Sequence, residues 1–254
     1  MRKLLDWLWL FSMWVCWSTA LAAADAPLRV GTAADTPPLA FQQDGKVIGM
    51  EADFAKLLQT QLGRPLQFQI LPAAELLPAL QRGDIDMVMS GLVITDARAQ
   101  QVDFVQPYLQ AGQMAIIRID DVLRFRSPAS LLQGGFRAGF VVNSPGAEYV
   151  KAQMSAATAV PCANAEECLQ SLLSKRIDVF VDAASTSWLI ATQPRYGALL
   201  SFYRPLTEEP LAWAVNKSNG QLRERLDAAL QSMRQTPMFE HILNRWIPVR
   251  VAND

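Results

Sequence analysis

The sequence predicts an α/β fold in which parallel sheets are covered by helices. From Leu28 onward, short apolar segments of strand length alternate with longer segments whose apolar residues keep helical spacing. The alternation divides into two units, because 113–118 is expected to run out of the first unit and 199–203 to return to it. A chain of 254 residues is long enough to form two small domains.

The first unit opens with a strand at 28–32 and a proline-rich turn at Thr36-Pro37-Pro38. Apolar residues at helical spacing then predict a helix that begins near Met50 and ends at Gly63, since glycine suits the left-handed C-cap position. The further predicted elements of this unit are a strand at 66–71, a helix at 76–82 and a strand at 86–89.

The second unit shows the same kind of alternation. One of its helices has a capping-box start, with Asn164 followed three residues later by Glu167. The predicted elements are helices at 128–132, 146–154 and 166–175 and strands at 136–142, 158–160 and 178–181. The chain then ends with a strand at 211–215 and two apolar helical stripes that we interpret as core, namely Leu222, Leu226, Leu230, Met233, Phe239, Ile242, Leu243 and Trp246.

A signal peptide is predicted over residues 1–24. Arg2 and Lys3 form a positive start, Leu4–Trp17 is an almost unbroken apolar run, and the small residues that follow offer Ala-x-Ala cleavage sites. The apolar run is shorter than the roughly 20 residues that a membrane-spanning helix needs. Its four tryptophans are unusual for a signal peptide and leave an uncleaved anchor as the alternative. The prediction is a protein of the Gram-negative periplasm.

The charge balance and the cysteine content bear on possible partners and metals. With 23 Lys and Arg against 24 Asp and Glu, the chain gives no reason to expect nucleic acid or an anionic membrane surface. Cys162 and Cys168 are expected to pair in an oxidising compartment, and two free buried thiols are the alternative. A zinc site would need more ligands, and the lone histidine, His241, lies far away in sequence. No metal or cofactor is therefore predicted.

Several short motifs stand in a definite order along the chain. They are Val30-Gly31-Thr32 with Pro37-Pro38, Gly49-Met50-Glu51-Ala52-Asp53, the stretch from Gly83 to Arg98, Val102-Asp103-Phe104 with Pro107-Tyr108, and Arg176-Ile177-Asp178. Through these motifs the chain resembles family 3 of the bacterial extracellular solute-binding proteins, which serve polar amino-acid ABC importers. The resemblance covers essentially the whole chain after the predicted signal peptide.

The resemblance implies a two-lobed periplasmic-binding-protein fold of type II, with two parallel-rich sheets flanked by helices and a double-strand hinge. Lobe one would comprise 26–116 and 206–254, and lobe two 117–205. The hinges would lie near Ile117 and Arg204, and a ligand would be held in the cleft as the lobes close.

Arg98 is the first candidate for ligand binding. If Thr95 caps a short helix, Arg98 lies in its first turn, where the helix dipole disfavours a cation by some tenths of a kcal/mol. A cation there is expected to face an anion, and a guanidinium can hold a carboxylate through two parallel hydrogen bonds. The resemblance implies that Arg98 binds the ligand's α-carboxylate. The alternative is a solvated surface arginine.

Ser90, Gly91 and Val93 are the other candidates from lobe one. Ser90 and Gly91 follow a buried strand, at the edge where ligands bind to parallel sheets. The resemblance implies that they offer a hydroxyl and backbone groups to the ligand. Val93 stands where the family usually has Ser or Thr, so its contact with the carboxylate is expected to be lost or made by the backbone alone.

Lobe two is expected to contribute the turn that contains Ser144 and Pro145. Free N–H groups at the start of the following helix suit an anion. Pro145 replaces a hydroxyl residue that is common in the family, and proline is also favourable in its own right at the first helical position. A binding role and a purely structural role for this turn both remain open.

The partner of a ligand ammonium group is less well defined. The family's aspartate for this role falls at Ala183, and Asp182 precedes that position by one residue, which turns a strand side chain to the other face. Asp182 can serve only if a bulge or an early strand end redirects it. Asp35 is a second acid that is expected near the cleft mouth, and Thr36 stands where the family often has an aromatic residue. Possible aromatic replacements, each with a core position as the alternative, are Phe41, Phe140 and Trp188.

The main prediction is a binding protein without catalysis, a monomer that captures a small carboxylate or amino acid for an ABC permease in the inner membrane. One alternative is a periplasmic lyase or dehydratase on the same fold, with Asp182 or Glu148 as the general acid. The other is a sensor that reports its ligand to a membrane receptor.

Overall fold

The computed structural model of the protein describes residues 26–202 and 204–247. The predicted signal peptide lies outside these residues. Within the described ranges, no helix is both long enough and apolar enough to cross a membrane.

The chain first builds most of one lobe. Its elements are β1 (Leu28–Thr32), β2 (Asp35–Thr36), β3 (Ala40–Gln43), β4 (Lys46–Ile48), α1 (Met50–Leu62), β5 (Leu66–Ile70), α2 (Ala73–Arg82), β6 (Met87–Val88), α3 (Asp96–Ala99), β7 (Asp103–Phe104) and β8 (Leu109–Ala111).

The second lobe follows. Its elements are β9 (Gln113–Arg118), β10 (Arg137–Val141), α4 (Pro145–Gln153), β11 (Thr158–Cys162), α5 (Ala165–Leu173), β12 (Val179–Ala183), α6 (Ala184–Ala191) and β13 (Leu199–Ser201). The chain then returns through β14 (Glu209–Leu211), β15 (Ala214–Val215), α7 (Gly220–Arg234) and α8 (Pro237–Trp246).

Each lobe contains one five-stranded sheet. The first has the order β5-β1-β6-β15-β7, in which β5, β1 and β6 are parallel. The second has the order β11-β10-β12-β9-β13, in which β11, β10 and β12 are parallel and β9 is antiparallel to β12. Buried apolar residues cover both faces of each sheet. The predicted α/β architecture with two parallel-rich sheets is confirmed.

Two chain segments cross between the sheets. Strands β8 and β14 form an antiparallel pair of their own, and Gly112 separates β8 from β9. All of β9 pairs within the second sheet, so the strand pairing puts the first crossing at Gly112 rather than near Ile117. On the return, the N–H of Leu206 still donates to the carbonyl of Gln113, so the second crossing follows at Thr207. The division into lobes at the predicted residue boundaries stays a prediction.

The predicted helix ends are confirmed where they rested on cap chemistry. Gly63 adopts the left-handed conformation after α1, and Thr95 caps α3 by accepting a hydrogen bond from the N–H of Arg98. Asn164 accepts from the N–H of Glu167, whose carboxylate in turn accepts from the N–H of Ala163. These local rules work because the partners are only a few residues apart.

Two predicted elements take a different form. The helix predicted at 128–132 is a 3₁₀ helix, Pro128–Leu132, which fits so short a segment. The predicted strand at 211–215 is split between β14 and β15, because the chain leaves the crossing and joins the first sheet within this segment.

The Asp178 carboxylate, just before β12, accepts hydrogen bonds from Arg137 at the start of β10. The backbone N–H and the guanidinium of Arg137 donate to the Asp178 carboxylate at 2.8 to 3.0 Å. These hydrogen bonds lower the pKa of Asp178 to about 2, although burial opposes them.

A carboxyl whose pKa is lower in the folded state stabilises the fold above its ordinary pKa. That contribution is lost as the pH falls through about 4 towards 2. Asp178→Asn should lower the free energy of unfolding at pH 7 by about 2 kcal/mol, and the difference from wild type should vanish near pH 2. Urea unfolding at a series of pH values measures this, with Asp44→Asn in an exposed turn as control. A difference that is independent of pH would contradict the assignment.

Candidate functional site

The carboxyl ends of β1 and β6 place Ser90 and Gly91 beside Ala33. The Ser90 hydroxyl accepts a hydrogen bond from the N–H of Ala33 at 3.0 Å. Gly91 has a positive φ of 62°, and its N–H donates to Glu51 Oε1 at 2.8 Å. The backbone donor that was expected to face the ligand is therefore already used within lobe one.

Glu51 is a buried carboxylate that the sequence analysis did not single out as functional. It is fully buried at the start of α1 and accepts hydrogen bonds from Gly91 N–H, Tyr108 OH and Trp213 Nε1, all between 2.7 and 2.8 Å. Burial raises its pKa, and the three donors oppose that rise. Glu51 thus joins α1, the Gly91 turn and the core next to the crossing.

Arg98 lies half-buried in the first turn of α3, as predicted. Its guanidinium donates to the carbonyl oxygen of Val93 at 2.8 Å. Among the described residues, no carboxylate lies within ion-pair distance of Arg98. The structure therefore holds this cation in place through a neutral acceptor and leaves its charge available to an anion.

Val93 connects the Arg98 segment to the crossing. It forms an isolated antiparallel bridge with Leu211, and the next residue, Ile94, donates its N–H to the carbonyl of Pro210. The Val93 side chain packs against the main core of lobe one. Its carbonyl serves Arg98, so its role in the structure is to support the arginine.

Ser144 and Pro145 start α4 in lobe two. Ser144 is the N-cap, since its hydroxyl accepts from the N–H of Ala147 and donates to the carbonyl of Val141. Pro145 is exposed at the first helical position. Gly146 packs against Val181 and Gln113, where an added Cβ would lie 2.6 Å from the carbonyl oxygen of Val181. This turn therefore packs against the ends of β12 and β9, beside the crossing.

Asp182 lies in a regular part of β12. The register with β9 is continuous from Val179 to Ala183, so no bulge redirects Asp182. Strand alternation then puts its side chain on the face of Phe180, opposite to Val181 and the α4 side. Burial raises the pKa of Asp182, opposed by hydrogen bonds from Thr186 and from the N–H of Ala183.

Asp35 and Thr36 form the short strand β2. Asp35 is exposed and accepts a hydrogen bond from the Thr36 hydroxyl at 3.0 Å. The three aromatic residues that could replace the family's aromatic at the cleft mouth each pack against other side chains. Trp188 and Phe140 are core residues with 3% and 4% exposure, and Phe41 contacts Trp246 edge-on.

A second polar cluster lies at the crossing, and none of its residues was a candidate from the sequence. Gln113, which is only 2% exposed, donates its backbone N–H to Thr207 Oγ1 at 2.8 Å and its Nε2 to Glu209 Oε1 at 3.0 Å. The Thr207 hydroxyl donates to the same Glu209 oxygen at 2.9 Å. The only sequence signal for Gln113 is a polar residue at the head of an otherwise apolar strand.

The described residues contain no group of three potential metal ligands. His241 is exposed, and Cys162 and Cys168 form a disulfide. The Arg98 guanidinium, which has no acidic partner among the described residues, can hold a small anion by charge and hydrogen bonding.

Two α/β lobes that are joined by crossing strands define a periplasmic binding protein of type II, as the fold prediction stated. Residues 28–249 match the model of the bacterial extracellular solute-binding proteins, family 3, and the chain belongs to that family.

Among curated relatives, the arginine-binding protein 1 of an Escherichia coli ABC transporter is 27% identical over 234 residues, covering 89% of this chain and 93% of the relative. The glutamine-binding protein of a Bacillus subtilis ABC transporter is 25% identical over 206 residues, covering 80% of this chain and 74% of the relative.

Similar solved structures include an ancestral cationic amino acid solute-binding protein. It is 29% identical, with a TM-score of 0.78 and coverage of 87% of this chain and 96% of the other. A second structure, described as an ancestral amino-acid-binding protein and a precursor of cyclohexadienyl dehydratase, is 28% identical with a TM-score of 0.66, covering 87% and 95%.

Proposed function

We propose that this chain binds a free amino acid or a closely related small carboxylate in the cleft between its lobes and delivers it to an ABC importer. In this proposal Arg98 holds the ligand carboxylate. The observation that carries it is a half-buried guanidinium that is fixed by the carbonyl of Val93 and has no acidic partner in the described part of the chain. An ionised partner makes the hydrogen bonds of a guanidinium about twice as strong as neutral ones.

The class of ligand is further supported by the relatives. Their names specify arginine and glutamine as ligands, and all such ligands share an α-carboxylate. The start of α4 lies across the crossing and could add backbone donors to the same anion. Ser144 would act there mainly as the cap that shapes the turn.

Delivery to an importer implies an extracytoplasmic location. The predicted signal peptide and the Cys162–Cys168 disulfide both fit an oxidising periplasm. We propose that the mature protein acts there as a monomer, with the permease in the inner membrane as its partner.

Binding without chemistry is the preferred form of this proposal. An enzyme on this fold would need a general acid in the cleft. Asp182 is turned to the Phe180 face, and Glu148 is exposed on α4. The similarity to a dehydratase precursor keeps the lyase as a second candidate, which a product assay on the ligand found below would detect.

The test is a thermal-shift panel on the chain without residues 1–24, with amino acids, 2-oxo acids and small dicarboxylates. A ligand at 100 times its dissociation constant should stabilise the fold by about 2.7 kcal/mol. Calorimetric titration of the best ligand should then show at least a tenfold weaker affinity for Arg98→Ala, about 1.4 kcal/mol.

The matched control is Arg82→Ala, because Arg82 is an exposed arginine of the same lobe that pairs with Asp84. It should bind like wild type. An Arg98→Ala protein that binds as tightly as wild type would refute the role of Arg98.

A further inference from the structure

Arg98 offers a partner for a carboxylate, but of the two predicted acids Asp35 is exposed on β2, with its carboxylate bonded to the Thr36 hydroxyl. Ala183 has no polar side chain, and Asp182 lies on the opposite face of β12 from the α4 side. If the ligand is an amino acid, another acceptor must meet its amine, since an unpaired ammonium in a closed cleft is strongly unfavourable.

Glu209 is a half-buried carboxylate at the crossing itself. It lies on β14 and accepts from two neutral donors, Gln113 Nε2 and the Thr207 hydroxyl, both at Oε1. No lysine or arginine of the described residues lies within 4 Å of it. The carboxylate is thus oriented by two hydrogen bonds while its negative charge has no cationic partner in that part of the chain.

The neighbours of Glu209 link it to lobe two. Gln113 stands directly across the β9–β12 ladder from Ala183, and residues opposite each other in antiparallel strands share a face. The Gln113 amide oxygen also lies 3.2 Å from the place of a Cβ on Gly146, in the first turn of α4. The Gln113 side chain therefore connects Glu209 to Ala183, where the family has its aspartate, and to the start of α4, the proposed anion site of lobe two.

The neighbours on the other side link Glu209 to Arg98. The next residue, Pro210, accepts the N–H of Ile94, and Leu211 bridges to Val93, whose carbonyl holds Arg98. The strand that carries the anion of Glu209 therefore pairs with the segment whose carbonyl holds the cation of Arg98. A zwitterionic ligand would offer its carboxylate to Arg98 and its ammonium group to Glu209.

We infer that Glu209 accepts the ammonium group of the ligand, so that Arg98 and Glu209 together select an α-amino acid over the acid that lacks the amine. The inference rests on the proposed function, since it adds a second contact to the same site. Glu209 is a specificity residue that depends on Gln113 and Thr207 for its orientation.

The test uses Glu209→Gln in the chain without residues 1–24. A glutamine oxygen can still accept from Gln113 and Thr207, so this change removes the charge and keeps the local hydrogen bonds. Calorimetric titrations would compare the best amino acid of the panel with its 2-oxo analogue. We expect at least a tenfold loss of affinity for the amino acid in Glu209→Gln and no loss for the 2-oxo acid.

Glu208→Gln is the matched control, because Glu208 is the adjacent, exposed acid, and it should bind both compounds like wild type. The role of Glu209 is refuted if Glu209→Gln binds the amino acid as tightly as wild type, or if its affinity for the 2-oxo acid falls by the same factor as its affinity for the amino acid. The proposed function stands in either case. If wild type binds no carboxylate of the panel, the proposed function and this inference are both overturned.

Discussion

Replacing Glu51 with alanine should destabilise the protein by about 3 to 5 kcal/mol. The change removes the shared acceptor of three buried donors, the N–H of Gly91, the hydroxyl of Tyr108 and the indole N–H of Trp213. Each buried donor that is left without a partner costs about 1 to 3 kcal/mol. Thermal and urea unfolding should show a melting temperature that is lower by roughly 10 °C.

Glutamine at the same position should have a smaller effect. Its oxygen could still accept from Gly91 and Tyr108, which both bond Oε1, but its NH₂ group would oppose the N–H of Trp213. Glu75→Ala on α2, where the side chain is 55% exposed, is the control and should be nearly neutral. A Glu51→Ala protein as stable as wild type would show that this cluster does not hold lobe one together.

Alanine at Gly112 should disrupt the crossing between the lobes. Gly112 has a φ of 154°, and an added Cβ would lie 1.9 Å from the carbonyl oxygen of Thr207 on the returning segment. That oxygen belongs to the backbone, so the two crossing segments would have to separate. The separation would break the hydrogen bonds that Gln113 makes with Thr207 and Glu209. We expect a loss of stability of several kcal/mol.

Gly220→Ala is the matched glycine control. A Cβ at Gly220 would meet no atom within 4 Å, and the residue starts α7, so alanine there should be neutral or slightly stabilising. Urea unfolding of both variants makes the comparison. Equal stability of Gly112→Ala and wild type would mean that the crossing segments do not approach as closely as described.

The sequence predicted the elements whose signals are local. The helix from Met50 to Gly63, the cap at Thr95 and the capping box at Asn164 all depend on residues within one or two turns of each other. The C-terminal stripes were likewise confirmed as core, with Leu226 and Met233 fully buried. Periodicity and cap chemistry act over such short distances and can be read from one chain.

Helix α6 was not predicted, and its sequence explains the omission. The segment Ala184–Ala191 contains Ser and Thr among apolar residues and shows no clear apolar stripe. Ser187 is buried, and its hydroxyl accepts a hydrogen bond from the Ser201 hydroxyl on β13. A helix that is covered on several sides by its tertiary neighbours loses the one-sided pattern that sequence analysis detects.

The polar contacts of the site could be predicted only in part. Glu51 gave a usable signal, since it stands on the same helical stripe as Phe54 and Leu58, where an acid is out of place. Glu209 and Gln113 gave almost none, because they are 96 positions apart and meet only at the crossing. Arg98 is proposed as a ligand contact because its position can be compared with a known family.

The proposed function depends above all on recognition of the ligand carboxylate by Arg98. The most direct measurement is calorimetric titration of wild type and Arg98→Ala with the best amino acid and with its primary carboxamide, which keeps the ammonium group and removes the negative charge. Wild type should bind the carboxamide at least tenfold more weakly, about 1.4 kcal/mol, and Arg98→Ala should bind the two compounds with nearly equal affinity. Equal binding of acid and carboxamide by wild type would contradict this role of Arg98.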